Sequence, residues 1–199
     1  MAMCYLIKNK ESRDKILEEV AAHMKSKNLE KGAQLNPSND ELINNFKFLN
    51  RVTNESLRFN PPAAITDQYI IENDVEFDGI KWKKGSLVYF WLWGLHHDPN
   101  VWPQHDKYLP ERFDPEHKLF KTPSGEDRPA ASFSPFSNGS RKCLGYKFAQ
   151  LVIPIMIINL INKFEIEHVD KSLNEEDNWP IASTFQSVNP PIKIKMTKK

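Results

Sequence analysis

The residue best placed to do chemistry is Cys143, inside the stretch FSPFSNGSRKCLGYKFAQ at residues 133–150. The apolar run LVIPIMIINLI follows it directly and reads as a helix. A cysteine just ahead of a helix faces unpaired N–H groups and the positive end of the helix dipole, and both favour an anion. Arg141 and Lys142 add positive charge, which favours the thiolate over the thiol. Gly139 and Gly145 permit backbone geometry and close approach that other residues forbid. Something flat could lie against such a loop, with Phe136 stacked near it.

Three roles stand open to this sulfur. As a nucleophile it needs a base or a resolving cysteine, and neither adjoins it in sequence. As a metal-bound thiolate supplied by one cysteine, it fits haem iron, which can take a single protein thiolate. It also reads as a basic-flanked surface cysteine with no chemistry at all. Elsewhere, Glu55 and Arg58 stand three apart and share one helix face, a common solvated pair unless something buries it. Tandem His96-His97 lacks a third ligand at metal-binding spacing, so His96 and Asp98 read instead as organisers of a turn before a short helix.

The elements that must hold these residues follow from periodicity. Ile16, Leu17, Val20 and Met24 recur at helical spacing and predict an amphipathic helix over residues 11–25, continuous with Tyr5-Leu6-Ile7. A second helix is expected over residues 40–59, ending before Pro61-Pro62 because a residue preceding proline is pushed out of helical geometry. Residues 67–93 mix β-branched and aromatic runs with Asp78-Gly79 and Lys84-Gly85, the mark of a small sheet with hairpin turns. Residues 94–131 have little periodicity and read as a long ordered meander, uncommon unless it serves a site. A helix over residues 144–162 carries Pro154, which should kink it or remove one hydrogen bond, and IKIKM at 192–196 suggests a terminal hairpin. The order is α+β.

Bulk properties exclude several classes. With 40% apolar and 11% aromatic residues in a chain of 199, a packed core is expected. Charge is nearly balanced, 27 basic against 26 acidic residues, so no nucleic-acid partner is indicated. Two cysteines, Cys4 and Cys143, make neither a disulfide framework nor a cysteine-rich zinc site, and suggest a reducing compartment. No apolar run reaches membrane-spanning length, and the opening MAMCYLIKNK does not read as a signal peptide.

Phe136-x-x-Gly139-x-Arg141-x-Cys143-x-Gly145 resembles the haem-binding signature of the cytochrome P450 family. The resemblance implies that Cys143 is the axial thiolate ligand of the iron in haem b (iron protoporphyrin IX). Arg141 would pair with a haem propionate, Phe136 would shield the sulfur side, and Gly139 and Gly145 would let backbone amides point at sulfur. Two more matches follow in the family's order. Glu55-x-x-Arg58 ahead of Pro61-Pro62 is similar to the family's buried helix pair, with Arg112 of Pro110-Glu111-Arg112-Phe113 completing a structural triad. GLHHDPNVW at 94–102 is similar to the stretch that follows the family's small sheet.

Much is implied by this likeness. The fold is expected to be α+β, mainly α: helices, small sheet, meander, cysteine loop, long helix and terminal hairpin. The whole of residues 1–199 would be one partial domain, the carboxyl-terminal haem-ligand portion of a P450. The reaction implied is insertion of one atom of O2 into an apolar organic small molecule. Ala63, Ala64 and Ile65, with Thr184 and Phe185, would be the substrate contacts. Electrons would come from NADPH through a reductase, for which Lys142 and Lys147 offer basic contacts. Membrane association would rest on an amino-terminal anchor absent from these residues, with a place on the cytoplasmic face of the endoplasmic reticulum if the whole protein is microsomal. The family's amino-terminal helices, including the one with an acid–alcohol pair for oxygen activation, have no match here. The alternative is therefore a non-catalytic haem-binding or interaction fragment. Thr66-Asp67-Gln68 lacks the arginine the family often has there, and Val152 and Pro154 are atypical in the helix after Cys143.

Overall fold

Asn9 ends one helix and begins the next, and the whole amino-terminal layout turns on it. This computed structural model describes residues 1–174 and 192–199. Helix α1 spans Ala2–Lys8 and α2 spans Lys10–Ser26, with the Asn9 side chain accepting the Ser12 N–H as an N-cap at 2.9 Å. The expected continuous helix is thus two. The Asn9 cap satisfies one of the amide groups left orphaned at the start of α2, which makes the break cheap.

The expected helix over 40–59 is likewise divided, into α3 at Asn39–Asn45 and α4 at Lys47–Phe59. A capping box of Ser38 and Glu41 starts α3. Glu19 of α2 then accepts the N–H groups of Phe48 and Leu49, at 2.7 and 3.2 Å, capping α4 from another element. The break turns the Phe46 ring into the core, where it is fully buried.

Residues 69–88 form two separate antiparallel ladders rather than one sheet. β1 (Tyr69–Ile70) pairs with β4 (Leu87–Val88), and β2 (Val75–Phe77) with β3 (Ile80–Trp82). The β2–β3 turn holds Asp78 and Gly79 at φ of 51° and 71°, the left-handed pair that a two-residue hairpin demands. Short helix α5 (Leu92–His96) leads into the meander, which is ordered as turns and 3₁₀ pieces such as Pro110–Phe113 and Lys118–Phe120.

Helix α6 spans Tyr146–Lys163 and runs through Pro154 without interruption. Proline has no N–H to offer the carbonyl four residues back, that of Gln150, which is exposed and open to water. β5 (Phe164–His168) follows, and β6 (Ile194–Lys198) returns to pair with it from Phe164↔Lys198 to His168↔Ile194. The strand that includes part of IKIKM thus takes β5 as its antiparallel partner. Leu6, Ile16, Val20, Leu42, Phe46, Leu49, Val52, Ile158 and Ile161 fuse α1, α2, α3, α4 and α6 into one core. Each such side chain contributes about 1.5–3 kcal/mol on burial. That core is the platform from which α4 presents Glu55 and Arg58 to the meander.

Candidate haem-ligand site

Glu55 and Arg58 both lie on the face of α4 turned away from solvent, and neither is exposed at all. Arg58 grips the carboxylate with two parallel bonds, Nε to Oε2 at 2.8 Å and Nη2 to Oε1 at 2.9 Å. Arg112, equally buried, donates from Nε to Oε1 at 3.0 Å, so the three residues expected to meet do meet. The Leu109 N–H adds a bond of 2.8 Å to the same oxygen.

One carboxylate cannot neutralise two guanidinium groups, and meander carbonyls absorb the remaining donors. Arg58 donates to the carbonyls of His96, His105 and Lys107 at 2.9, 3.0 and 3.0 Å. Arg112 donates to Pro103, Gln104 and Lys107 at 2.7, 3.0 and 3.2 Å. A segment with almost no regular structure is thereby tied, carbonyl by carbonyl, to a helix. Burial pulls the Arg112 pKa down, with Glu55 opposing the shift.

Two residues that sequence reasoning did not assign this way join the cluster. Arg128 donates to the Arg112 carbonyl at 2.6 Å and lies 4.2 Å from the Trp102 ring centroid. Burial, then repulsion from Arg112, pushes it down to about 10, still charged at neutral pH. His96 was expected to organise a turn; Asp98 does that, accepting the Asn100 N–H at 2.9 Å. The His96 ring instead reaches Ser134, whose N–H donates to Nε2 at 2.9 Å. His97 packs on Trp93 at 4.1 Å between centroids and donates from Nδ1 to the Trp93 carbonyl at 2.9 Å. Burial drives His96 down to about 3 and His97 to about 4, with nearby Arg58 acting in the same direction on both.

From Ser134 the chain enters the cysteine loop. The Cys143 N–H donates to the Phe136 carbonyl at 2.9 Å and closes the loop; Lys142 N–H to Gly139 carbonyl, at 3.2 Å, tightens it. Gly139 sits at φ 70°, where a side chain would be strained. Cys143 is exposed, three residues ahead of the first residue of α6, and its Sγ is 3.9 Å from where a Cβ on Gly145 would stand. Phe136 is half-buried, Arg141 is exposed, and Lys142 places its ammonium 3.7 Å from the Tyr146 ring centroid.

Arg141, Gly139, Ser140 and Asn138 form one side of a cavity of about 450 Å³, faced by Phe90, Leu92 and Leu95. Leu144 beside the cysteine is fully exposed and Phe148 one turn on is largely so. An outward thiol, a neighbouring guanidinium and uncovered apolar side chains together suit a flat apolar group bearing carboxylates, so the residues present fit a haem. Ala63, Ala64 and Ile65 are half-buried and do not line that cavity; the Ala64 carbonyl accepts the Trp93 N–H at 3.0 Å. Thr184 and Phe185 lie outside the described residues.

A buried Glu–Arg–Arg cluster thus pins the irregular segment that leads into an exposed cysteine loop. The family model for cytochrome P450 matches residues 1–197, and the chain belongs to that family. It is 34% identical to Cytochrome P450 3A31 of Mesocricetus auratus over 131 residues, 66% of this chain and 24% of that protein. It is 31% identical to Cytochrome P450 9e2 of Blattella germanica over 162 residues, 80% of this chain and 26% of that protein. With Cytochrome P450 3A2 of Rattus norvegicus the identity is 28% over 189 residues, 95% of this chain and 33% of that protein. The chain thus spans about a quarter to a third of the length of the curated relatives it matches. Among the described residues no helix is long and apolar enough to cross a membrane.

Proposed function

We propose that this chain supplies the thiolate side of a haem-dependent monooxygenase, with Cys143 as the axial ligand. The observation that carries the reading is the exposed Cys143, closed into its loop by the Phe136 carbonyl and two residues from Arg141, which lines the cavity. Haem, when bound, supplies the iron chemistry by which one atom of O2 enters an apolar organic substrate while the other leaves as water.

The chain's own residues do the holding. Arg141 would receive a propionate as a charge-assisted pair. Phe136 and the exposed Phe148 would exclude water from the sulfur side. The Gly139 turn would keep side chains clear of the ring, and the amides of Leu144 and Gly145 would turn toward sulfur and soften its charge. Two electrons per turnover would come from NADPH through a reductase. Exposed Lys147 on α6 is a basic contact for that partner, whereas Lys142 is engaged with Tyr146. Ala63, Ala64 and Ile65 would form an apolar substrate wall, and the full-length protein would work at the cytoplasmic face of the endoplasmic reticulum.

The test is spectroscopic. Haem is added to the purified chain, reduced and exposed to carbon monoxide. The red-shifted absorption of a thiolate ligand is expected, and Cys143→Ala should lose it. Absence of that band in a chain that has taken up haem would overturn the assignment of Cys143. The thiolate band without turnover would favour the second reading, a haem-binding piece that is not itself catalytic. The apolar exposure of Leu144, Phe148, Phe90 and Trp91 is what favours it.

A further inference from the structure

Among the described residues His96 links the arginine cluster to the cysteine loop, through its backbone carbonyl at one end and its ring at the other. Its carbonyl accepts from Arg58 Nη1 at 2.9 Å, and its Nε2 accepts the Ser134 N–H at 2.9 Å. The residue has no exposure to solvent, and its ring lies 5.6 Å between centroids from Phe133, next to Ser134. Because an amide donates to Nε2, that nitrogen must be bare and the proton must sit on Nδ1. Nδ1 is buried and has no partner among the described residues. A buried donor left unmatched is costly, so the ring is not held there for its own stability alone.

Ser134 is where the cysteine loop begins to be fixed. Its hydroxyl donates to the Ala131 carbonyl at 2.7 Å and receives the Asn138 amide, and its carbonyl accepts the Ser137 N–H at 3.0 Å. The chain of bonds then runs Glu55 to Arg58, Arg58 to His96, His96 to Ser134, and on to the loop closed by Cys143 and Phe136.

We infer that His96 is a positioning residue for Cys143: as a neutral acceptor it anchors the cysteine loop to the Glu55–Arg58–Arg112 cluster. The link to iron rests on the haem-ligand reading above, while the anchoring itself does not. Direct contact with the sulfur is not part of the role. What it sets is the loop's freedom to depart from the geometry in which the thiol points outward.

Hydrogen exchange separates anchoring from general stability. Rates are followed at the Ser134 and Cys143 amides, with the α4 amides as internal reference, in the full 199-residue chain, His96→Leu and His96→Gln. Removing the acceptor in H96L should speed the loop amides about five- to tenfold, the worth of one lost hydrogen bond. The α4 amides should stay within about twofold, and the glutamine oxygen in H96Q should return the loop to its original rate. Unchanged loop rates in H96L, equal acceleration in α4, or no rescue by glutamine would each overturn the role. Should H96L fail to fold, the nitrogen shifts of His96 in the unaltered chain decide: a proton on Nδ1 supports the anchor, a proton on Nε2 rejects it. Loss of the thiolate absorption with loop protection intact would count against the haem reading alone.

Discussion

The Arg128 guanidinium lies over the Trp102 ring, 4.2 Å from its centroid, and at the same time donates to the Arg112 carbonyl at 2.6 Å. Phe120 and Phe113 stand 5.2 and 5.6 Å away, so the cation is set among aromatic faces. Such a desolvated cation–π contact is worth about 1–2 kcal/mol. Repulsion from Arg112 offsets part of it, because Arg128 is a third guanidinium near one carboxylate. Arg128→Met should therefore lower stability by about 1 kcal/mol, and Arg128→Lys by a similar amount, since an ammonium cannot stack flat. Urea midpoints measure this, and a methionine variant as stable as the parent would refute the stacking account.

Glu55 is the hub of the cluster, and its replacement should be the most damaging change there. In Glu55→Gln the amide NH2 would face Arg58 or Arg112, leaving two buried cations with half their anion's acceptors. A loss of about 3–5 kcal/mol is expected, which approaches the whole stability of an ordinary domain. Arg112→Met leaves the bidentate Glu55–Arg58 pair in place and should cost less. Denaturant unfolding of the two variants side by side gives the order, and the reverse order would show that Arg112 rather than Glu55 is the hub.

How much of this was legible beforehand depends on where each partner lies in the chain. Glu55 and Arg58 are three residues apart on one helix and Arg112 sits in a short run, so the resemblance could name the triad although spacing alone gave only a common solvated pair. The cysteine loop was legible for the same reason: its fixed residues fall within ten positions, from Phe136 to Gly145. The break between α3 and α4 was not, because the cap that permits it comes from Glu19, 29 residues upstream of Phe48. His96 was misplaced because its acceptor atom serves an amide 38 residues away, and no local pattern advertises that. The two small ladders were foreseen as one sheet, since alternation of residue types sets strand character and not which strands pair.

Acid should loosen this molecule through His96 and His97. Their ordinary value is 6.5, and in the folded chain they fall to about 3 and about 4. The unfolded chain therefore binds protons first as pH drops. Their contribution to stability is complete above about pH 7 and is lost as pH falls through 6.5 toward the folded values. Each withdraws about 2 kcal/mol by pH 5, at a limiting slope of about 1.4 kcal/mol per pH unit. Urea midpoints measured from pH 7.5 to 5 should decline, and His96→Gln, which keeps the acceptor but cannot titrate, should decline about half as steeply. A parallel decline in the variant would show that the acid sensitivity lies elsewhere.

Asn159 of α6 clamps the loop ahead of α3 from both sides, accepting the Leu35 N–H at 2.9 Å and donating to the Leu35 carbonyl at 2.8 Å. Leu35 is fully buried, so its backbone groups have no water to turn to once the clamp is gone. Asn159→Leu keeps the volume and strands both groups, and a cost of about 2–3 kcal/mol follows from leaving a buried donor and acceptor unmade. Asn162 provides a control one turn on: its amide reaches the Ala33 carbonyl only at 3.4 Å, a weak bond. Asn162→Leu should lower stability by under about half as much. Because α6 also begins just after Cys143, the same pair can be read at the loop: exchange of the Cys143 amide should rise in N159L only as far as global stability falls. A larger rise would mean that α6 transmits strain to the loop, and equal costs for N159L and N162L would show that packing rather than the two-sided bond holds Leu35 in place.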